Sequence, residues 1–150
     1  IYLFMNVGTF AVILSMRVKD RYVESIDDLS GISKTNPAIA LALTVLMFSM
    51  AGIPPLAGFF GKYFVFAAAV NAGLIPLAVI GVLSSVVGAF YYLRLIKIMY
   101  FDESAETFDR PDFSTSLVMG VCAVAVVVFI FLPEPLLAGA DAAAAALFQS

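Results

Sequence analysis

Lys62 is the residue of this sequence whose setting most calls for chemistry. It is the only charged side chain between Thr35 and Leu93, a stretch made mostly of Ala, Leu, Val, Ile, Phe and Gly. An ionisable group at the centre of a membrane helix costs about 2.5–3.5 kcal/mol on insertion scales, so it persists only where something offsets that penalty. The chemistry available to it is proton exchange. Burial disfavours a charged amine and a nearby carboxylate favours it, so such a lysine takes up and releases a proton as a partner charge approaches and leaves.

Four residues just before Lys62 sharpen the case: Pro54, Pro55, Gly58 and Gly61. Proline removes a backbone donor and clashes with the preceding turn, so a helix entering this segment is expected to break and admit water. In a bilayer, irregular backbone is tolerated only where it is buried in protein or faces water. Broken helices beside a charge are also how transporters build ion sites near the midplane. The competing reading is snorkelling. With a helix starting near Pro55, Lys62 lies about 10 Å along its axis, and a long side chain can reach towards an interface. Every Asp and Glu falls in a loop or in the tail, so a charged partner for Lys62 is expected in another part of a longer protein or on another subunit.

The elements that must position this lysine are transmembrane. The 150 residues are 63% hydrophobic and 13% charged, with a mean hydropathy of +1.05. Soluble domains run at about 45–50% apolar and about 25% charged. An all-α, polytopic transmembrane helix bundle is expected, with about five membrane spans and a discontinuous helix near Lys62. Crossing about 30 Å of hydrocarbon takes roughly 20 residues, which places the spans at about 1–16, 38–53, 55–72, 76–100 and 114–132. Two charged segments separate them, Arg17 to Lys34 and Arg94 to Asp112.

Local signals set the boundaries. Asp27 to Gly31 has turn chemistry, and Asn36-Pro37 puts a proline in the first turn of a helix. Gly52-Ile53-Pro54-Pro55, Asn71-Ala72-Gly73 and Pro133-Glu134-Pro135 stop helices. Tyr91, Tyr92, Tyr100 and Phe101 form an interfacial belt, with Arg94 and Lys97 as anchors beside it. The tail, 133–150, is Ala-rich and reads as a short interfacial helix or a frayed end. The chain opens on Ile1 within an apolar run, as expected of the C-terminal part of a longer protein. Four cationic residues (Arg17, Lys19, Arg21, Lys34) on one side against three (Arg94, Lys97, Arg110) on the other leave the orientation undecided by charge.

Gly81, Ser85 and Ala89, with Ser84 and Gly88, give the longest helix a stripe of small residues suited to close packing. Ser84, Ser85 and Tyr92 are weaker candidates for lining a path to Lys62. Cys122 reads as a small buried hydrophobe. With no His, no Trp and a single Cys, no haem, iron–sulfur, zinc or internal disulfide site is expected, so any cofactor or metal belongs elsewhere. A net charge of −3 and a pI near 4.7 offer no basic surface for nucleic acid.

Three segments carry a family resemblance: Lys34-Thr35-Asn36-Pro37, the run from Phe48 through AGIPPLAGFFGK to Tyr63, and Tyr91-Tyr92-Leu93-Arg94 continuing to Met99-Tyr100. In them the chain closely resembles the antiporter-like membrane subunits of bacterial respiratory complex I, the proton-translocating NADH-quinone oxidoreductase. The match covers nearly the whole chain. AGIPPLAGFFGK is strong for the wider family, which includes multisubunit sodium/proton antiporters, while its GK ending and the YYLR segment favour the subunit N branch.

The resemblance implies a fourteen-helix subunit built from two inverted repeats, of which this chain holds roughly the last five helices. Lys62 matches the family's lysine on a discontinuous helix, thought to exchange protons with an exit half-channel; the entry-side residues of the first repeat have no counterpart here. It implies a multi-pass protein of the bacterial inner membrane, with the C-terminus in the periplasm and with other complex I membrane subunits, lipid and protons as partners. No cofactor is implied in this chain; NADH, flavin, iron–sulfur clusters and quinone are expected in partner subunits. Two other readings stay open, a cation/proton antiporter subunit without electron transfer and a structural membrane scaffold. Upstream residues would separate transporter from scaffold, because a matching repeat with its own intramembrane lysine belongs only to the former.

Overall fold

A computed structural model of the chain describes residues 1–23, 25–103 and 106–148. Its main elements are the helices α1 (Tyr2–Ser15), α2 (Ile32–Thr35), α3 (Pro37–Ala51), α4 (Ala57–Asn71), α5 (Ile75–Phe101), α6 (Phe113–Phe131) and α7 (Glu134–Phe148). One departure from an all-helical fold is a two-residue antiparallel ladder after α1, pairing Arg17 with Tyr22 and Val18 with Arg21. Lys19 and Asp20 turn that hairpin with positive φ, the conformation that matches the twist of paired strands.

The helices begin and end where the local chemistry requires. Pro37 occupies the first turn of α3, where its missing N–H has no intrahelical partner to lose. At the other end Gly52 adopts φ 83°, its N–H donating to the Ser49 carbonyl and the Ile53 N–H to the Phe48 carbonyl. That pair of bonds is a Schellman closure, which needs a left-handed residue and therefore favours glycine. Pro54 and Pro55, joined by a cis peptide bond, follow at once, and helix resumes only at Ala57.

Among the described residues two helices, α5 and α6, are long and apolar enough to cross a membrane, while α1 and α3 are shorter apolar helices. The expected separate spans 38–53 and 55–72 become α3 and α4, each of 15 residues. At 1.5 Å per residue each is about 22 Å long, well under the hydrocarbon thickness. Both pack in succession along α5, whose 27 residues reach about 40 Å. Near the C-terminus of α5, Ile98 and Met99 share a core with Ile39, Ala40 and Leu43 of α3. Towards its N-terminus, Gly81 meets the Phe66 ring of α4.

α1 runs antiparallel to α3 and packs closely on α6. A Cβ added to Gly8 would lie 2.6 Å from Cys122 Cβ and 3.0 Å from the Leu46 side chain, so glycine sets the spacing of three helices. Met5, Leu46, Cys122, Val126 and Phe129 form the second core at this level.

The expectation that the two charged segments lie on opposite sides is corrected by their contacts. The Asn36 side chain exchanges two hydrogen bonds with the Phe108 backbone. The Asp109 N–H donates to the Arg17 carbonyl, and the Gly31 N–H to the Ile98 carbonyl. Both charged segments therefore sit at one end of the bundle. The tail forms a helix, α7, whose described side chains are mostly exposed.

Candidate functional site at the helix break

The last four carbonyls of an α-helix have no partner within the helix. In α3 the glycine closure takes up those of Phe48 and Ser49. The Ala51 carbonyl accepts a hydrogen bond of 2.9 Å from Lys62 Nζ, reaching back from the second turn of α4. The partner expected outside the chain is thus joined by one within it, a neutral carbonyl rather than a carboxylate. It sits at the negative end of a helix dipole, equivalent to roughly half an elementary charge, which favours a cation there. The lysine stem lies against Gly52, where a Cβ would meet Cδ at 2.9 Å and Nζ at 3.1 Å. Glycine is required at that position twice, for its φ and for the room it leaves the lysine.

The start of α4 is tied to the same helix end. The Gly58 N–H donates to Ser49 Oγ at 3.0 Å, and Ser49 Oγ donates to Met5 Sδ of α1 at 2.9 Å. Ser49 is fully buried. A Cβ on Gly58 would sit 1.8 Å from the Ser49 carbonyl oxygen, so the two half-helices touch backbone to backbone.

Lys62 is half-buried and borders two open grooves. The larger, of about 870 Å³, runs between α4 and α5 and is apolar apart from Lys62, Tyr63, Asn71 and Ser85. The smaller, of about 400 Å³, lies among α1, the end of α3, α4 and α5, and brings Ser49, Gly58 and Tyr92 to the same lysine. The arrangement can hold an ammonium at a helix terminus with access from two sides.

These contacts lie within a segment that a known family shares, since residues 1–88 match the NADH:quinone oxidoreductase/Mrp antiporter transmembrane family. The chain belongs to that family. NADH-quinone oxidoreductase subunit N of Paramagnetospirillum magneticum is 60% identical over 151 residues, covering 100% of this chain and 31% of the relative. Its counterpart in Rhodospirillum rubrum is 63% identical over 148 residues, covering 98% and 30%. A solved structure of respiratory complex I from Thermus thermophilus with bound aureothin contains a similar chain, with TM-score 0.74 and 31% identity, covering 89% of this chain and 31% of that one. The chain spans about a third of the length of the curated relatives it matches.

In this antiporter-family chain the residues singled out from sequence do not all meet. Pro54 and Pro55 make the break, and Gly58 is the point of closest approach between α3 and α4. Gly61 lies inside α4 and does not break the helix; it borders the smaller groove beside Lys62, with nothing within 4 Å of a Cβ placed there. Ser85 and Tyr92 border the grooves on either side of Lys62. Ser84 borders neither; its exposed hydroxyl donates to the Ile80 carbonyl of its own helix. Arg94 and Lys97 are exposed near the charged end, and Lys97 lies 3.7 Å from Asp102. Ser49 and Ala51 escape a sequence reading: a serine in an apolar run and an alanine carbonyl carry no signal until their neighbours are known.

Proposed function

We propose that this chain is part of subunit N of a proton-translocating NADH-quinone oxidoreductase, and that Lys62 is its proton-exchanging group. The observation that carries this reading is the Lys62 Nζ to Ala51 carbonyl bond at a helix break, bordered by two grooves. The helix end and its carbonyl give the lysine charge a place to rest, and the approach or departure of a further charge changes how readily it holds its proton. Pro54 and Pro55 keep the break open to water, while Gly58 lets the two half-helices close on each other beside it; Ser85 and Tyr92 line the way to Lys62. Electron transfer from NADH to quinone, with its flavin and iron–sulfur clusters, is assigned to other subunits. With no His and one Cys, this chain offers no ligand set for such a cluster.

The same packing supports a membrane arrangement. With α3, the break and α4 read as one discontinuous crossing beside α5, the described residues make four crossings, α1, α3–α4, α5 and α6, rather than about five. An even number of crossings then separates the two charged segments, in keeping with their hydrogen bonds. Arg17, Lys19, Arg21, Lys34, Arg94, Lys97 and Arg110 all lie towards that one end. The positive-inside rule assigns it to the cytoplasm of a bacterial inner membrane and the start of α7 to the periplasmic side. The family also takes in Mrp antiporters; the relatives at 60% and 63% identity are oxidoreductase subunits, which favours the coupled reading.

The test is Lys62→Ala in the full-length subunit within the assembled complex, followed by proton translocation in membrane vesicles. Reduced pumping with normal assembly is expected. Unchanged pumping would return Lys62 to the role of a snorkelling anchor.

A further inference from the structure

We propose that Ser49 is the positioning residue of this site, holding α4 in the register that keeps Lys62 on the end of α3. The inference rests on the proton-exchange reading of Lys62 and deepens it. Ser49 is fully buried within the apolar helix α3, where a hydroxyl is tolerated only when its hydrogen bonds are made. Both are made across helices, one accepted from the Gly58 N–H and one donated to Met5 Sδ.

The first of these bonds solves a local problem of α4. The opening N–H groups of a helix need acceptors from outside it, and the residue before α4 is Leu56, whose side chain has none to offer. Ser49 supplies from another helix what a serine at the N-cap supplies from its own. Gly58 and Lys62 are four residues apart on α4, so they lie on one face, one turn above the other. Ser49 and Ala51 are their respective partners at the end of α3. The two bonds form successive rungs between the half-helices, and a helix is stiff enough that fixing the first fixes the second. Met5 adds a third attachment, so α1 bears on the same hydroxyl.

The experiment uses the full-length subunit in the assembled complex, in sealed membrane vesicles, and reads protons moved per NADH oxidised alongside the amount of complex. Four variants are compared: Ser49→Ala, Ser49→Cys, Lys62→Ala, and Ser49→Ala combined with Lys62→Ala. Ser49→Ala is expected to lower the ratio roughly twofold or more, as misplacement of a reacting group does. Ser49→Cys, with a longer bond and a weaker acceptor, is expected to fall between it and the parent. The double variant is expected to match Lys62→Ala alone, because residues acting through one another are non-additive. A serine that only supports folding would lower the amount of complex and leave the ratio unchanged.

A parental ratio in Ser49→Ala, or a loss in the double variant that adds to that of Lys62→Ala, overturns the proposal. If Ser49→Ala does not accumulate, Ser49→Cys takes its place, alone and with Lys62→Ala, under the same criteria. A parental ratio in Lys62→Ala itself would instead remove the reading on which the proposal rests.

Discussion

The Asn36 side chain brackets the backbone of Phe108, 72 residues away, donating from Nδ2 to its carbonyl at 3.2 Å and accepting its N–H at Oδ1 at 3.0 Å. One amide thereby fastens the segment entering α3 to the segment leaving α5. It is also the contact that fixes the sidedness of the chain, since residues in hydrogen bond cannot face opposite compartments.

That sidedness is open to direct test. Lys19 and Arg110 lie in the two charged segments, and replacing each in turn by cysteine in the full-length protein gives two labelling sites. A membrane-impermeant thiol reagent is expected to modify both from the cytoplasmic face and neither from the periplasmic face. Modification from opposite faces would mean that α3 and α4 cross the membrane separately.

Asn36→Leu keeps approximate size and removes both bonds, leaving the part-buried backbone of Phe108 without these partners. Each unsatisfied group costs about 1–3 kcal/mol where water cannot replace the lost bond. The expected result is faster hydrogen exchange at Phe108 and its neighbours on the α6 side, with exchange around Gly58 unchanged. Equal exchange in the two proteins would show that the bracket contributes nothing.

Two glycines of α4 should respond in opposite ways to the same change. Gly58→Ala places a methyl 1.8 Å from a backbone oxygen that cannot swing aside, and a loss of about 3 kcal/mol or more is expected from overpacking of this kind. Gly61→Ala enters open space; its effect should stay within about 0.5 kcal/mol, or be favourable through better helix propensity. The amount of assembled subunit and its thermal midpoint in detergent measure both.

Much of this arrangement is legible from residue types, and the parts that are not have identifiable causes. Gly52-Ile53-Pro54-Pro55 announces the end of α3 because no helix continues through it, and an isolated lysine in an apolar run marks itself. Whether the chain turns back at such a break or only pauses there is not written in the length of its apolar runs. It depends on α5 being long enough to lie beside both halves. The expected sidedness of the charged segments failed for that reason. Gly58 and Gly61 look alike in sequence, one turn of helix apart, and only the Ser49 carbonyl distinguishes them. The attachment of Gly31 to the Ile98 carbonyl is equally silent, being a bond between backbones distant in the chain.

The most direct measurement is proton translocation by Lys62→Arg in the full-length subunit of the assembled complex. Arginine retains the positive charge, the long stem and the ability to donate to the Ala51 carbonyl, yet does not give up its proton in proteins. A lysine that merely anchors or caps the helix would be replaced without loss. A lysine that carries protons would not: fewer protons per NADH oxidised are expected, with assembly preserved. Pumping at the parental ratio would contradict the assignment of Lys62 as the proton-exchanging group.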